Sequence, residues 1–333
     1  MVCRTGGVRQ KKRHLVFVFW SWRHIGAEYM LGNLFCGLSF ILVLKKYVFI
    51  QKIVSLPISF KMQNNLNIVE KKYKKLVIRV ALTGFSYAVV DTLNNQILVV
   101  NTIDFGSFKK SNHIEDYFWQ AFLDHRDLTK MYDKVVVIHN NSLNTFVPNA
   151  IFSEEFLGSY LQFNTKVFET DFFSFDVIDN YQMNNVFVPY ININNYLLDQ
   201  FERFEYHHSS SILVQKLLEL SKNKDQKQVF VHFDDQKFDI VVVQNQKLLL
   251  FNTFEIQTKE DFIYYLLFTA EQLQLNPENF KLQLLGNIVE ESAFYDIAYR
   301  YVRHVSLLDV SDLQRNNTFS KAENLKHFIL FQS

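Results

Sequence analysis

The chain has 333 residues, of which 48% are hydrophobic and 21% are charged, a composition that excludes a disordered protein and allows two domains. The net charge of +1 conceals two unlike parts: residues 1–61 carry ten Lys/Arg and one acidic residue, whereas residues 62–333 carry 25 basic and 33 acidic residues. Such an acidic body argues against a nucleic-acid-binding function.

The first 61 residues differ from the rest in composition. They contain both cysteines, two of the three tryptophans and five of the nine glycines. Their apolar stretch at residues 30–44 is shorter than the ~20 residues that cross a bilayer, and Lys45-Lys46 ends it. No small-residue cleavage site follows. We expect residues 1–61 to be a basic, non-domain extension, either an upstream segment before a genuine start at Met62 or a membrane anchor.

The body begins with three short strands, predicted at residues 76–82, 86–91 and 96–102. Gly84 and Asn94-Asn95 mark the turns between them, as in an antiparallel meander. Aromatic residues at helical spacing predict a helix over residues 116–128, and Lys134–His139 has the continuous hydrophobicity of a buried strand. The order of this first half is therefore βββαβ.

The middle of the chain is less regular. After residues 145–148 it predicts a helix at 153–161, an irregular stretch, a strand at 186–188, a helix at 193–204, a short strand at 204–207 and a helix at 210–220. Residues 207–211 read His-His-Ser-Ser-Ser, which suggests a hydrolase or metal site. Adjacent strand residues point to opposite faces, however, so the two histidines cannot bind one metal ion together. We therefore interpret Ser209 or Ser210 as the cap of the following helix.

The meander recurs in the second half, at residues 228–233, 238–243 and 247–253. A helix at 259–275 stops before Pro277, and a strand at 281–285, a helix at 290–301 and a strand at 302–308 follow. The two meanders lie roughly 150 residues apart, which indicates an internal duplication. We expect residues 311–333 to form a C-terminal tail whose segment 327–331 returns to the body.

This strand and helix order resembles the RNase H-like plan, and its tandem repetition resembles the actin-like superfamily. The middle region is similar to that of the pilus-assembly and secretion-platform members. The runs VALTGFSYAVVD (80–91), VPNAIF (147–152), VFVPY (186–190) and FEYHHSSSILV (204–214) resemble an uncharacterised bacterial family known only as a domain of unknown function. The resemblance implies an α/β fold of two RNase H-like (actin-like ATPase) lobes, at residues 62–222 and 223–310, each with a mixed sheet of βββαβα-type order. It implies no known activity.

An actin-like ATPase holds its nucleotide between two hairpin turns, whose backbone N–H groups must approach the phosphates closely. Gly84 lies in the first turn here, but Arg79 and Ala81 stand where such proteins keep an acidic residue. His232 likewise replaces the acidic residue of the second half.

The second turn itself contains Asp234, Asp235 and Lys237 in place of glycines. The two carboxylates of this turn repel a phosphate group unless Mg²⁺ lies between the carboxylates and the phosphate. Gly286 is a single glycine in the turn at which members of the superfamily bind adenine.

We therefore predict a non-catalytic actin-like scaffold or adaptor that binds protein partners, a pseudo-ATPase without cofactor, metal site or catalytic residues. The alternative is a divergent switch that binds ATP with Mg²⁺. Its cofactor-binding residues are Gly84, Asp234, Asp235, Lys237 and Gly286. Residues 62–333 show no membrane span or nucleic-acid-binding face, and the missing export signal predicts a cytoplasmic protein.

Overall fold

The structure, a computed structural model, describes residues 71–108, 111, 113–168, 170–311 and 315–333. The predictions about residues 1–61 lie outside these ranges. None of the helices within them has the length and hydrophobicity needed to cross a bilayer.

The first lobe begins with an antiparallel meander. Its first strand is covered on both faces, because the consecutive residues Leu76, Val77 and Ile78 are fully buried. A helix and a strand parallel to the first strand follow, and Val80 pairs with His139 where these two parallel strands end. These elements are β1 (Lys74–Val80), β2 (Gly84–Asp91), β3 (Gln96–Asp104), α1 (Ile114–Asp124) and β4 (Lys134–His139).

A small three-stranded sheet is inserted after β4. Its order is β5-β7-β6, and all of its pairs are antiparallel. The predicted irregular stretch contains β6, so that prediction was wrong there. The inserted elements are β5 (Asn144–Pro148), α2 (Leu157–Leu161), β6 (Ser174–Ile178), β7 (Met183–Phe187) and α3 (Ile191–Phe201).

The chain then returns to the first sheet through β8 (Glu205–His208), which pairs in parallel with β4, and continues into α4 (Ser209–Leu220). The completed sheet has the order β3-β2-β1-β4-β8. On its outer face, α1 and α3 bury Phe118, Phe122 and Leu197.

The second lobe repeats this plan with the order β11-β10-β9-β12-β13. Its first long helix begins at a capping box, in which Thr258 and Asp261 satisfy each other's backbone N–H groups. The elements are β9 (Gln228–Phe233), β10 (Lys237–Gln244), β11 (Lys247–Glu255), α5 (Lys259–Gln272), β12 (Lys281–Gly286), α6 (Ala293–Tyr301) and β13 (His304–Leu307).

Two short helices, α7 (Lys321–Lys326) and α8 (Phe328–Gln332), complete the described chain. Phe328 through Phe331 of α8 are at most 3% exposed. They belong to a central core that joins side chains of β1, β2 and β4 to side chains of β9, β10 and β12, with α4 between them. The two sheets therefore share one hydrophobic core in addition to the separate cores on their outer faces.

Candidate functional site

The ends of β1 and β4 meet the turn between β9 and β10 in the cleft between the lobes. Arg79, near the end of β1, lies 2.7 Å from the carboxylate of Asp234 in that turn, and both side chains are 15% exposed. Asn140, directly after β4, donates from Nδ2 to the same Asp234 oxygen at 2.7 Å. Asp234 of the second lobe is thus held by two donors of the first.

The groups around Asp234 keep its carboxyl ionised. Burial on its own raises the pKa of this carboxyl, but Arg79, His232 and Lys237, together with the hydrogen bond from Asn140, hold the pKa well below its ordinary value. The Arg79–Asp234 contact is therefore a charge-assisted hydrogen bond at neutral pH.

Lys237 makes the second connection between the lobes. Its Nζ donates to the backbone oxygen of Asn141 at 2.9 Å, and its own carbonyl accepts from the Asp234 N–H at 2.8 Å within the turn. We call Arg79, Asn140, Asn141, Asp234 and Lys237 the inter-lobe bridge.

Side chains of the first lobe fix the two asparagines of the bridge. Ser209 donates to Asn140 Oδ1 at 3.2 Å, and the Tyr190 hydroxyl donates to the Asn140 carbonyl at 3.0 Å. Burial raises the pKa of Tyr190 to about 12, which keeps this hydroxyl protonated. Asn141 Oδ1 lies 3.2 Å from Nε2 of His208.

His208 lies directly before α4 and is neutral. The Ser210 N–H donates to its Nδ1, so the ring proton is assigned to Nε2, which donates to Asn141. Burial and the nearby Lys237 hold the pKa of His208 well below its ordinary value. His208 is also the N-cap of α4, so the prediction that Ser209 or Ser210 caps this helix was wrong.

A buried pair lies within the second lobe, where His232 Nδ1 is 3.3 Å from Asp239 Oδ2. Thr253 donates to the other oxygen of Asp239 at 2.6 Å. Burial raises the pKa of Asp239, but Lys237, His232 and the Thr253 hydroxyl outweigh this and lower it. His232, which stands in place of an acidic residue, is therefore paired with a residue of its own sheet.

The two glycines predicted to line a nucleotide site have structural roles in the sheets. A Cβ on Gly84 would lie 2.3 Å from the Ile103 carbonyl oxygen of β3, so the close pairing of β2 with β3 requires glycine. Gly286 has φ +89°, and a Cβ there would lie 2.1 Å from the Phe233 carbonyl oxygen. These contacts explain both glycines without a bound nucleotide.

The structure brings most of the five predicted site residues together around the second turn. Asp234 and Lys237 belong to the bridge. Gly286 packs against Phe233, next to Asp234, while Asn287 donates to Asp235 at 3.1 Å. Gly84 lies in the first turn, where its carbonyl accepts from the Ala81 N–H.

The polar residues around His207 do not form a catalytic triad. His207 Nδ1 lies 3.0 Å from one oxygen of Asp176, and Ser211 donates to the other, so the serine and the histidine share an acceptor instead of bonding to each other. Ser211 also accepts from Asn185 at 2.8 Å. This network ties the inserted sheet to the start of α4. Within the described ranges, no group of three or more His, Cys, Asp or Glu is placed to hold a metal ion.

Asn140 and Asn141 were not predicted to be members of the site. The available signal was their position directly after the buried strand β4, because ligand-binding and bridging groups of parallel sheets collect at the carboxyl ends of strands. Arg79 was noticed only as the replacement of an acidic residue.

The sequence from residue 63 to residue 305 matches the profile of a family described as protein of unknown function (DUF3822). The match covers more than half of the chain. The chain belongs to this family. Comparison with curated proteins finds no match.

Solved structures show the fold of this DUF3822 protein. It is similar to a Bacteroides thetaiotaomicron protein with an actin-like ATPase fold and unknown function, at 21% identity and a TM-score of 0.66, over 79% of this chain and 97% of that chain. A PilM–PilN type IV pilus biogenesis complex is also similar, at 10% identity and a TM-score of 0.48, over 77% and 96% of the two chains. The first similarity confirms the predicted α/β, actin-like fold.

Proposed function

We propose that this protein is a non-catalytic actin-like adaptor, a cytoplasmic pseudo-ATPase that binds protein partners and no nucleotide. The observation that carries the proposal is the inter-lobe bridge. Arg79, Asn140 and Lys237 bind across the cleft at the turn where an actin-like ATPase holds phosphates, so protein groups make the contacts that a nucleotide makes elsewhere.

The energetics of the bridge support this proposal. A nucleotide must separate Arg79 from Asp234 before its phosphates reach the turn, and this contact is a charge-assisted hydrogen bond of 2.7 Å between side chains that are only 15% exposed. The turn also contains Asp235 and side chains with a Cβ, which hinder the close backbone approach that phosphates need. The alternative, an ATP–Mg²⁺ switch, requires Mg²⁺ between phosphate and Asp234.

Calorimetric titration of the full-length chain with ATP and ADP, each with and without Mg²⁺, tests the proposal. We expect no saturable heat at millimolar nucleotide. The Asp234→Ala variant is titrated in parallel, with Glu271→Ala, an exposed acidic residue of α5, as the matched control.

Saturable micromolar binding to the unmodified chain that is lost in Asp234→Ala and kept in Glu271→Ala would contradict the adaptor. It would assign the cleft to a nucleotide-dependent switch.

A further inference from the structure

An open groove lies on the inserted subdomain, on the segment that runs from α2 to β6. It has a volume of about 530 Å³, within the range of ligand-binding clefts. Its apolar lining includes Leu157, Val167, Phe168, Phe172 and Phe173. None of the inter-lobe bridge residues lines it.

The phenylalanines of this groove are unusually exposed. Phe168 is 57% exposed and Phe172 is 54% exposed, and the neighbouring Phe156 and Phe163 are 55% and 87% exposed. Aromatic side chains are enriched at protein interfaces and supply much of the binding energy there. Four exposed phenylalanines in one short segment therefore favour a binding surface over an ordinary solvated surface.

Two hydrogen bonds connect Phe168 with Asp171 beside the groove. The Phe168 N–H donates to Asp171 Oδ2 at 2.8 Å, and the Asp171 N–H donates to the Phe168 carbonyl at 3.1 Å. These reciprocal bonds hold Phe168 and Asp171 together before any partner arrives, which lowers the entropy cost of binding.

The charge of the groove selects the partner. Its charged lining residues are Glu154, Glu155 and Asp171, all acidic. The nearby Lys166 has its ammonium group 5.3 Å from the centre of the Phe168 ring, so that ring already accommodates a cation.

We propose that this groove binds a linear segment of a protein partner in which Lys or Arg residues adjoin large apolar residues. The apolar side chains enter between Leu157, Phe168 and Phe172, while the basic groups meet the carboxylates of Glu154 and Glu155. This proposal rests on the adaptor function and names the surface and the chemistry of its partner.

A phage-displayed library of random linear peptides, selected on the full-length chain, tests the proposal. We expect the selected peptides to combine Lys or Arg with Leu, Ile or Phe, and to bind less tightly as the salt concentration rises. Phe172→Asp and the double variant Glu154→Lys/Glu155→Lys are expected to weaken the binding of a selected synthetic peptide by about tenfold or more.

Two matched variants control for general effects. Leu93→Asp changes a side chain that is 68% exposed in the β2–β3 turn, and Glu271→Lys reverses a charge on α5. We expect both to keep the affinity of the unmodified chain, and circular dichroism and thermal melting to show that all variants are folded.

Selection of no peptide, of peptides without basic and apolar residues, or of peptides that bind equally well to the groove variants would overturn the proposal. The nucleotide titration is a separate readout. Tight ATP binding would contradict the adaptor function, whereas a negative peptide result with no ATP binding would contradict only this groove as its binding surface.

Discussion

His139 and His208, next to the inter-lobe bridge, are buried and neutral. Burial lowers the pKa of His139 to about 4, and it holds the pKa of His208 well below its ordinary value. The Tyr190 N–H donates to His139 Nδ1 at 3.3 Å, so this ring acts as an acceptor that protonation at Nδ1 would destroy. The polar contacts that surround the cleft therefore depend on uncharged imidazoles.

This burial predicts an acid-labile fold. The ordinary pKa of histidine is about 6.5, so between pH 6.5 and 4 the unfolded chain binds a proton at residue 139 that the folded chain does not. The contribution of His139 to stability is complete above pH 6.5 and falls as the pH decreases. Between pH 7 and pH 5 this loss amounts to about 2 kcal/mol.

Urea denaturation of the unmodified chain and of His139→Leu at pH 7 and pH 5 measures this contribution. We expect the variant to lose about 2 kcal/mol less than the unmodified chain between the two pH values. His207, whose hydrogen bond to Asp176 raises its pKa, has the opposite sign and acts above pH 6.5, outside most of this interval. An identical pH dependence in both proteins would show that His139 does not titrate as its burial requires.

At the scale of elements, both meanders were predicted from turn residues and β-branched runs. The predicted strand 134–139 coincides with β4, and the predicted strand 228–233 coincides with β9. The predicted helix 259–275 ends at Gln272 instead, and the helix 290–301 begins at Ala293. Ser292 sets this later start because its side chain caps the Tyr295 N–H. Local patterns thus identify an element more reliably than they identify its ends.

The end of β12 predicts a strong effect of one small substitution. Gly286→Ala places a Cβ 2.1 Å from the Phe233 carbonyl at a φ of +89°. We expect a loss of about 3 kcal/mol or more in the free energy of unfolding, because both the backbone conformation and the contact with β9 are strained.

Gly106→Ala is the matched control, because its Cβ would meet only the flexible Asp104 side chain at 3.2 Å. Its expected loss is less than about 1 kcal/mol. Chemical denaturation of both variants measures the difference, and equal losses would disprove the close packing at Gly286.

At the scale of the whole molecule, the two sheets share the central core that α4 and α8 complete. The segment at residues 327–331 does return to the body, where α8 packs into that core. Arg315 donates to the Ser333 carbonyl at 2.7 Å. Asn316 pairs in parallel with Gln96 at the start of β3, and its carbonyl accepts from the Ile97 N–H at 3.1 Å. The lobes are therefore joined by packing as well as by the polar bridge, which favours unfolding as one cooperative unit.

Phe328→Ala tests this shared core. Phe328 is 1% exposed, and removing a buried phenylalanine costs about 3–5 kcal/mol. Hydrogen exchange followed by mass spectrometry is expected to show similar acceleration in β1 and β9, one strand from each sheet.

Met131→Ala, which truncates a side chain that is 73% exposed, serves as the control and is expected to leave exchange unchanged. Acceleration confined to one sheet in Phe328→Ala would mean that the lobes open independently.

The sequence by itself determined the duplicated α/β plan, because hydrophobic periodicity and turn residues are local signals that occur twice along the chain. It also placed Asp234 and Lys237 in the second turn. Only the tertiary structure decided that Arg79 and Asn140 meet Asp234, since these residues are far apart in the chain and their contact depends on how the two sheets pack. The same holds for the groove, because the sequence alone does not distinguish its exposed phenylalanines from the phenylalanines that are buried in the core.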